Sequence, residues 1–422
     1  MDGNKEKVFG FIAGKGESLI LDLETGLTGR PAVSPDSGGA GELDKCEYLE
    51  SWLRAHGITG LERYDAPDSR AKGGVRPNLI ATIQGRDTMP GGEAAGGTGG
   101  RLWIMSHLDV VPPGERSLWR SDPWTLIHEG DRIVGRGVED NQQGLCSSVL
   151  AALSLAEQGI VPPRTVKLLF VADEENGSGY GIDWLLKNHG DLFRGDDMVL
   201  VPDSGDGLGG SIEIAEKNLV WTRFTVHGKQ SHASMPHLGV NAFLAGSDLA
   251  AALHYGLSEK FSARDPIFQP DYSTFQPTKK EANVPNINTI PGEDVFCMDM
   301  RVLPRYPVKE VFAEIDRIKT VVELKHKVSI AYTTVQCMES KPTPADSALV
   351  KLLTLNIGEV YGTKARPVGI GGGTVAAYLR NRGIHCAVWC RIDETAHQPN
   401  EYALVANILG DAKVMALLML GA

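Results

Sequence analysis

Residues 102–114 read Leu-Trp-Ile-Met-Ser-His-Leu-Asp-Val-Val-Pro-Pro-Gly. Leu102, Trp103, Ile104 and Met105 form a continuous apolar run with Gly100 before it and Pro112 after it. A short run of this kind, without alternation, predicts a strand buried on both faces, as in a parallel or mixed sheet covered by helices. The run ends in His107-Leu108-Asp109. In open α/β sheets, ligands sit beyond the carboxyl ends of the strands. A His and an Asp two apart at such an end therefore stand where chemistry is done. Alone, His-x-Asp describes a satisfied structural pair equally well. The remaining strand ends decide between the two.

Three other apolar runs end the same way. Residues 166–172 are apolar except for Lys167 and run into Asp173-Glu174-Glu175. Three consecutive acids at the end of a buried strand repel one another and call for a positive partner. Residues 198–201 end in Pro202-Asp203, and residues 387–389 lead to a loop with Asp393, Glu394 and His397. Between the first two strands, residues 133–140 pass through Gly135-Arg136-Gly137 to Glu139-Asp140-Asn141. Gly144 then opens an apolar helix, 145–158, closed by Gly159. The loop 139–143 thus lies at a helix N-terminus, where the dipole favours anions; a capping carboxylate is an equally good reading of Asp140 by itself.

The 422-residue chain is 42% hydrophobic and 23% charged, an ordinary globular balance whose length suggests two or three domains. A formal charge of -11 disfavours nucleic acid and anionic membrane as partners. No run of about 18 apolar residues predicts a membrane span, and the first residues lack a signal-peptide pattern. Cys46, Cys146, Cys297, Cys337, Cys386 and Cys390 are scattered, most in apolar runs, as expected of free thiols in a reducing cytoplasm. Cys386 and Cys390 share one strand face, but no second cysteine pair accompanies them as a metal clip requires. His56, His128, His189, His254 and His326 sit in polar or helical surroundings and read as solvated or core side chains.

The flanks follow the same α/β grammar. Residues 8–27 have helical spacing interrupted by Gly10, Gly14 and Gly16, and 44–56 form a cleaner amphipathic helix. Residues 78–83 read as a strand, and the Gly-rich stretch 91–100 as an exposed hairpin tip or insertion. From 216 to 338 the pattern changes. Val220, Thr222, Phe224 and Val226 alternate, as do Phe296, Met298, Met300 and Val302. With helices at 240–257 and 308–322 and further strands near 272–278, 288–290 and 327–335, the order is roughly βαββαβ, a ferredoxin-like α/β sandwich. The expected fold is α/β: a mixed sheet flanked by helices, formed by 1–215 and 339–422, with 216–338 inserted as a lid or association domain. Gly371-Gly372-Gly373-Thr374, ahead of a helix at 375–382, is either a plain turn or a backbone cradle for an anion.

Imidazole and carboxylate ligands without thiolate suit Zn²⁺, Co²⁺ or Mn²⁺. Two His and several acids exceed what one tetrahedral ion needs, so two divalent ions sharing a carboxylate are the simplest account. Such a pair activates water and polarises a carbonyl, and an acid that is not a ligand would take the water's proton.

Taken together, Ser106-His107-Leu108-Asp109-Val110-Val111-Pro112, Gly135-Arg136-Gly137 with Asp140, Asp173-Glu174-Glu175, Asp203 and His397 resemble a family of metallohydrolases. That family comprises the zinc-dependent aminoacylases, acetylornithine deacetylases, succinyl-diaminopimelate desuccinylases, glutamate carboxypeptidases and dipeptidases. The resemblance spans nearly the whole chain and implies a catalytic domain of the zinc-peptidase type. It implies His107 and Asp203 on one metal, Glu175 and His397 on the other, and Asp140 bridging both. Asp109 would orient His107, Glu174 would be the general base, and the peptide after Asp140 would be cis. His232, in Gln230-Ser231-His232-Ala233-Ser234, would meet the oxyanion, usually from the partner subunit of a homodimer formed through the lid. Asn288 and Arg301 would hold the substrate carboxylate beside Gly372, Gly373 and Thr374. The chain departs from the desuccinylases in having Asp203 where they have Glu, and Val375-Ala376-Ala377 where they have Ser-Asp.

The resulting expectation is a cytoplasmic two-metal hydrolase of N-acyl amino acids or short peptides with a free carboxylate. A carboxypeptidase or dipeptidase is the alternative within the enzyme class. A non-catalytic binding protein on the same fold predicts a lost base or ligand, and none is lost. A structural metal protein predicts a closed site without a spare acid such as Glu174.

Overall fold

The computed structural model describes residues 2–86 and 100–421. Most of the Gly-rich stretch expected to form an exposed tip, 91–99, lies outside them. The chain divides into two compact units. One comprises Met1–Ile214, Thr343–Pro367 and Tyr378–Ala422; the other comprises Ala215–Pro342 and Val368–Ala377.

The first unit is organised by an eight-stranded mixed sheet. Its strands run in the order Leu61–Pro67, Val75–Ile83, Val166–Val171, Leu102–His107, Met198–Asp206, His385–Arg391, Ser211–Glu216 and Arg366–Ile370. The four apolar runs read from the sequence are adjacent in this order and parallel to one another. Their carboxyl ends therefore fall on one edge of the sheet. Every residue of Leu102–His107 is buried, which explains its unbroken apolar character. The strand at 198 is longer than expected and runs to Asp206. Val201 pairs with Val388 but Gly205 with Cys390, so residues 202–204 bulge out of register. The bulge re-aims Asp203 away from the ladder.

Helices Asp2–Thr28, Gly144–Glu157 and Val405–Leu420 pack on one another. The glycines of the first helix do not interrupt it. Val8, Ile12, Ile20, Leu23 and Leu27 are buried along one stripe, and that burial outweighs the helix cost of glycine. Gly10 and Gly14 face open space, whereas a Cβ at Gly26 would overlap the ring of Tyr48.

The second unit holds a four-stranded antiparallel sheet ordered Thr274–Lys280, Glu293–Val302, Asn218–His227, Ser329–Met338. Helices Ala242–Lys260 and Val308–His326 pack together and close its core over Val220, Phe224, Val226, Phe296, Met298 and Met300. In chain order the strands lie 2-3-1-4, which is the ferredoxin-like arrangement. Two expectations are corrected. Thr289–Ile290 does not enter this sheet but pairs with Ser231–His232. The glycine turn, assigned above to 339–422, belongs with the second unit. Lys217 N–H donates to Ile370 O at 3.0 Å, and the Thr374 hydroxyl donates to Glu216 at 2.6 Å. Among the described residues no helix is long and apolar enough to cross a membrane.

Candidate metal centre

His107 ends its strand with both ring nitrogens engaged. Nδ1 lies 3.0 Å from the backbone oxygen of Asp109. A carbonyl accepts only, so Nδ1 carries a proton, and Nε2 is the nitrogen whose lone pair would be offered to a metal ion in place of its own proton. Nε2 faces Asp140 Oδ1 at 2.8 Å and Asp203 Oδ1 at 3.3 Å. The other oxygen of Asp140, Oδ2, lies 3.1 Å from His397 Nε2, which is also 3.1 Å from Glu175 Oε1. The two oxygens of Asp140 thus look in two directions. One joins His107 and Asp203, the other His397 and Glu175. The peptide between Asp140 and Asn141 is cis.

The acids after Asp173 are held by different partners. The Asp173 carboxylate accepts from Arg76 at 3.2 Å and from Tyr180 N–H at 3.0 Å, so it faces away from the cluster. Arg76 is fully buried and also pairs with Glu42. It is the positive partner that the acid run demanded. Asp109 accepts the N–H groups of Glu174 and Glu175, both at 3.0 Å, while its Oδ1 stands 3.6 Å from His107 Nδ1. Its carboxylate therefore places the backbone of Glu174 and Glu175, and His107 is oriented chiefly by the Asp109 carbonyl. Asn141 was not anticipated as a site residue. Its amide donates to Asp203 Oδ1 at 2.6 Å and to Pro202 O at 2.7 Å, fixing the bulge.

The ionisable groups of the cluster act strongly on one another. Burial pushes the Glu174 carboxyl well above the ordinary range, and repulsion from Asp203, Asp109 and Glu175 adds to this. Glu175 is raised by burial too, against the pull of His397. Hydrogen bonds to Asp140 and Glu175 push His397 up to about 10. Burial opposes charge on His107, but Asp109, Asp140 and Asp203 still hold it well above its usual value. Burial likewise works against the Asp140 carboxylate, and bonds to His107 and His397 nevertheless hold it below the usual range. Each imidazole faces two carboxylates with one nitrogen, and a single N–H serves only one of them well. Divalent cations in place of those protons would satisfy both acids at once. The donor set, two imidazoles and hard oxygens without thiolate, fits such ions. Ligand atoms of His107, Glu174 and Asp203 fall within 4.8 Å of one another, as do those of His107, Asp140 and Glu175. No cysteine joins either group among the described residues.

The remaining candidates lie in the second unit. His232 is exposed, and its Nδ1 accepts from Ser234 N–H at 3.2 Å, which leaves Nε2 to carry the proton. Ala233 N–H bonds to Asn288 O at 2.9 Å, so the His232 and Asn288 segments are adjacent. Arg301 bonds to Asp299 and donates to Gly371 O at 2.7 Å. A Cβ at Gly373 would strike Met338, whereas Gly372 meets nothing.

The profile of peptidase family M20/M25/M40 matches residues 103–421. A metallohydrolase of Methanococcus maripaludis is 38% identical over 414 residues, which cover 93% of this chain and 97% of that protein. A succinyl-diaminopimelate desuccinylase of a Methylobacterium species is 28% identical over 406 residues, 92% of each chain. Among solved structures, the YXEP protein of Bacillus subtilis, a dinuclear metal binding peptidase of the M20 family, superposes with a TM-score of 0.64. Its sequence identity is 15%, over 96% of this chain and 98% of that one.

Proposed function

Because the chain belongs to peptidase family M20/M25/M40, we propose that it is a two-metal hydrolase that cleaves the amide bond of N-acyl amino acids or short peptides bearing a free carboxylate. The observation that carries this reading is the Asp140 carboxylate, whose two oxygens face two separate imidazole and carboxylate sets. His107 and Asp203 would hold one ion, Glu175 and His397 the other, with Asp140 shared between them. Zinc is the ion proposed, and cobalt or manganese suits the same ligands. When bound, the ions supply Lewis acidity toward the scissile carbonyl and lower the pKa of water. Glu174 takes the proton from the attacking water and returns it to the leaving nitrogen. His232 would hydrogen-bond the developing oxyanion through its Nε2–H. Asn288 and Arg301 hold the substrate carboxylate, with Gly372, Gly373 and Thr374 lining the same side. The working form is a homodimer through the second unit, which acts as a lid.

Deacylation is the first reading, and the desuccinylase relative supports it. Asp203 in place of Glu resembles aminoacylases and dipeptidases alike, so it argues against a succinyl group and leaves open the second reading, a carboxypeptidase or dipeptidase. The test is a panel of N-acetyl, N-succinyl and N-carbamoyl amino acids and dipeptides, assayed with Zn²⁺, Co²⁺ or Mn²⁺. Turnover confined to acyl amino acids supports the first reading, and turnover confined to dipeptides the second. Metal-independent turnover, or none with any substrate, would sink both.

A further inference from the structure

Asp140 and His397 stand on loops more than 250 residues apart in sequence. Their flanks meet where Arg132–Val134 pairs with Tyr402–Leu404, and Arg136 donates to His397 O at 3.4 Å. Two carboxylates outside the ligand set tie the loops themselves together. Glu139 directly precedes Asp140, but its side chain turns away from the cluster. It accepts the N–H groups of Asp393 at 2.9 Å, of Ala396 at 2.7 Å, and of Thr395. Glu401, four residues after His397, does the converse. It accepts the N–H groups of Gly137, Glu139 and Asp140 at 3.1, 3.0 and 3.1 Å, and Arg136 Nη1 at 2.6 Å. Both carboxylates are buried, so their charge is solvated by the opposite loop's backbone rather than by water. The His397 loop needs such support, since Glu394, His397 and Asn400 all hold left-handed φ near 60° without being glycine.

We propose that Glu139 and Glu401 are positioning residues: a reciprocal clamp in which each metal-ligand loop is held by an acid from the other. This inference rests on the two-metal reading. The clamp sets the approach of His397 to Asp140 and hence the affinity of the second metal position. The first position, built from His107 and Asp203, depends on it much less, because His107 is held by the Asp109 carbonyl and Asp203 by Asn141.

Glu139→Gln and Glu401→Gln keep size while removing the charge. Metal-free protein titrated with Co²⁺, followed by its d–d absorption and by chelator competition, should take up the first equivalent as wild type does. The second equivalent should bind about 10–100-fold more weakly, the usual effect of a ligand-orienting partner. The double variant should lose less than the product of the single losses, because both acids hold one contact. Amide hydrogen exchange on metal-free wild-type protein gives an independent reading. The clamp is made by protein alone, so the amides of 137, 139, 140, 393, 395 and 396 should be protected before any metal is added. Fast exchange at those amides overturns the clamp, and so does wild-type affinity for the second equivalent in either folded variant. Wild-type protein that binds fewer than two ions overturns the two-metal reading instead, and the exchange result then decides the clamp.

Discussion

At the scale of the residue, neighbours in sequence differ in what their side chains reach. Glu174 and Glu175 follow one another, and their N–H groups are held by the same Asp109 carboxylate. Only Glu175 reaches His397. Glu174→Gln should therefore keep both metals and the fold and lose about 10²–10⁴-fold in kcat, as expected of a general base. Glu175→Gln and Asp140→Ala should lose metal, Asp140→Ala most of it, by elemental analysis after dialysis. A Glu174→Gln protein that lost metal while Glu175→Gln kept it would exchange the two roles. The ligand candidates were legible because buried strands leave little freedom: apolar runs ending in acids are easy to see. Glu401 and Asn141 were not legible. Their partners are backbone groups, the Arg136 side chain and a bulge, brought near by the fold from up to 265 residues away. Glu139 was visible beside Asp140, but only the fold shows that its carboxylate serves the other loop.

At the scale of the element, the sequence pattern spoke where one face differed from the other. The strands Asn218–His227 and Glu293–Val302 alternate, and their buried sides match the residues read as inward. Leu61–Pro67 gave no signal because it is a charged edge strand with one buried residue. Val405–Leu420 gave no amphipathic period because nearly all of it is buried. The first helix offers a direct contrast between its glycines. Gly10→Ala meets only open space and should stabilise by about 0.5–1 kcal/mol, whereas Gly26→Ala drives a Cβ into Tyr48 and should destabilise by about 1–3 kcal/mol. Urea unfolding of the two variants separates these signs. Within Val405–Leu420, Asp411 is fully buried. Burial pushes it up to about 7, against hydrogen bonds from Tyr361, Arg391 N–H and Gln143. The folded protein thus keeps a proton that the unfolded chain releases near 4. Stability from this group is complete below pH 4 and is lost as pH rises toward 7. Asp411→Asn, which has nothing to ionise, should flatten the decline of the unfolding midpoint between pH 4 and 7. An unchanged slope would show that Asp411 is ionised in the folded state throughout.

At the scale of the whole molecule, the two grammars in the sequence correspond to two compact units, one with parallel buried strands and one with alternating antiparallel strands. The bounds read from the sequence differ from those of the units at 215, at 339–342 and at the glycine turn, whose tie to residues 216 and 217 is a pairing across some 150 residues that no local pattern records. All metal-ligand candidates fall in the first unit, and His232 falls in the second. If the working enzyme is a dimer in which His232 serves the partner's site, the two functions can be separated onto different chains. His232→Ala should cost about 10²–10³-fold in kcat, the usual loss for one oxyanion donor, and Glu174→Ala should be inactive. Unfolding and refolding the two variants together pairs them at random. Half the dimers are then hybrids, each with one complete site, so about a quarter of wild-type activity should return. The site that recovers belongs to the His232→Ala chain, which supplies Glu174 and borrows the imidazole of its partner. Verified hybrids that stay inactive would place His232 in the service of its own chain, and a monomer with full activity would remove the partner from the mechanism altogether.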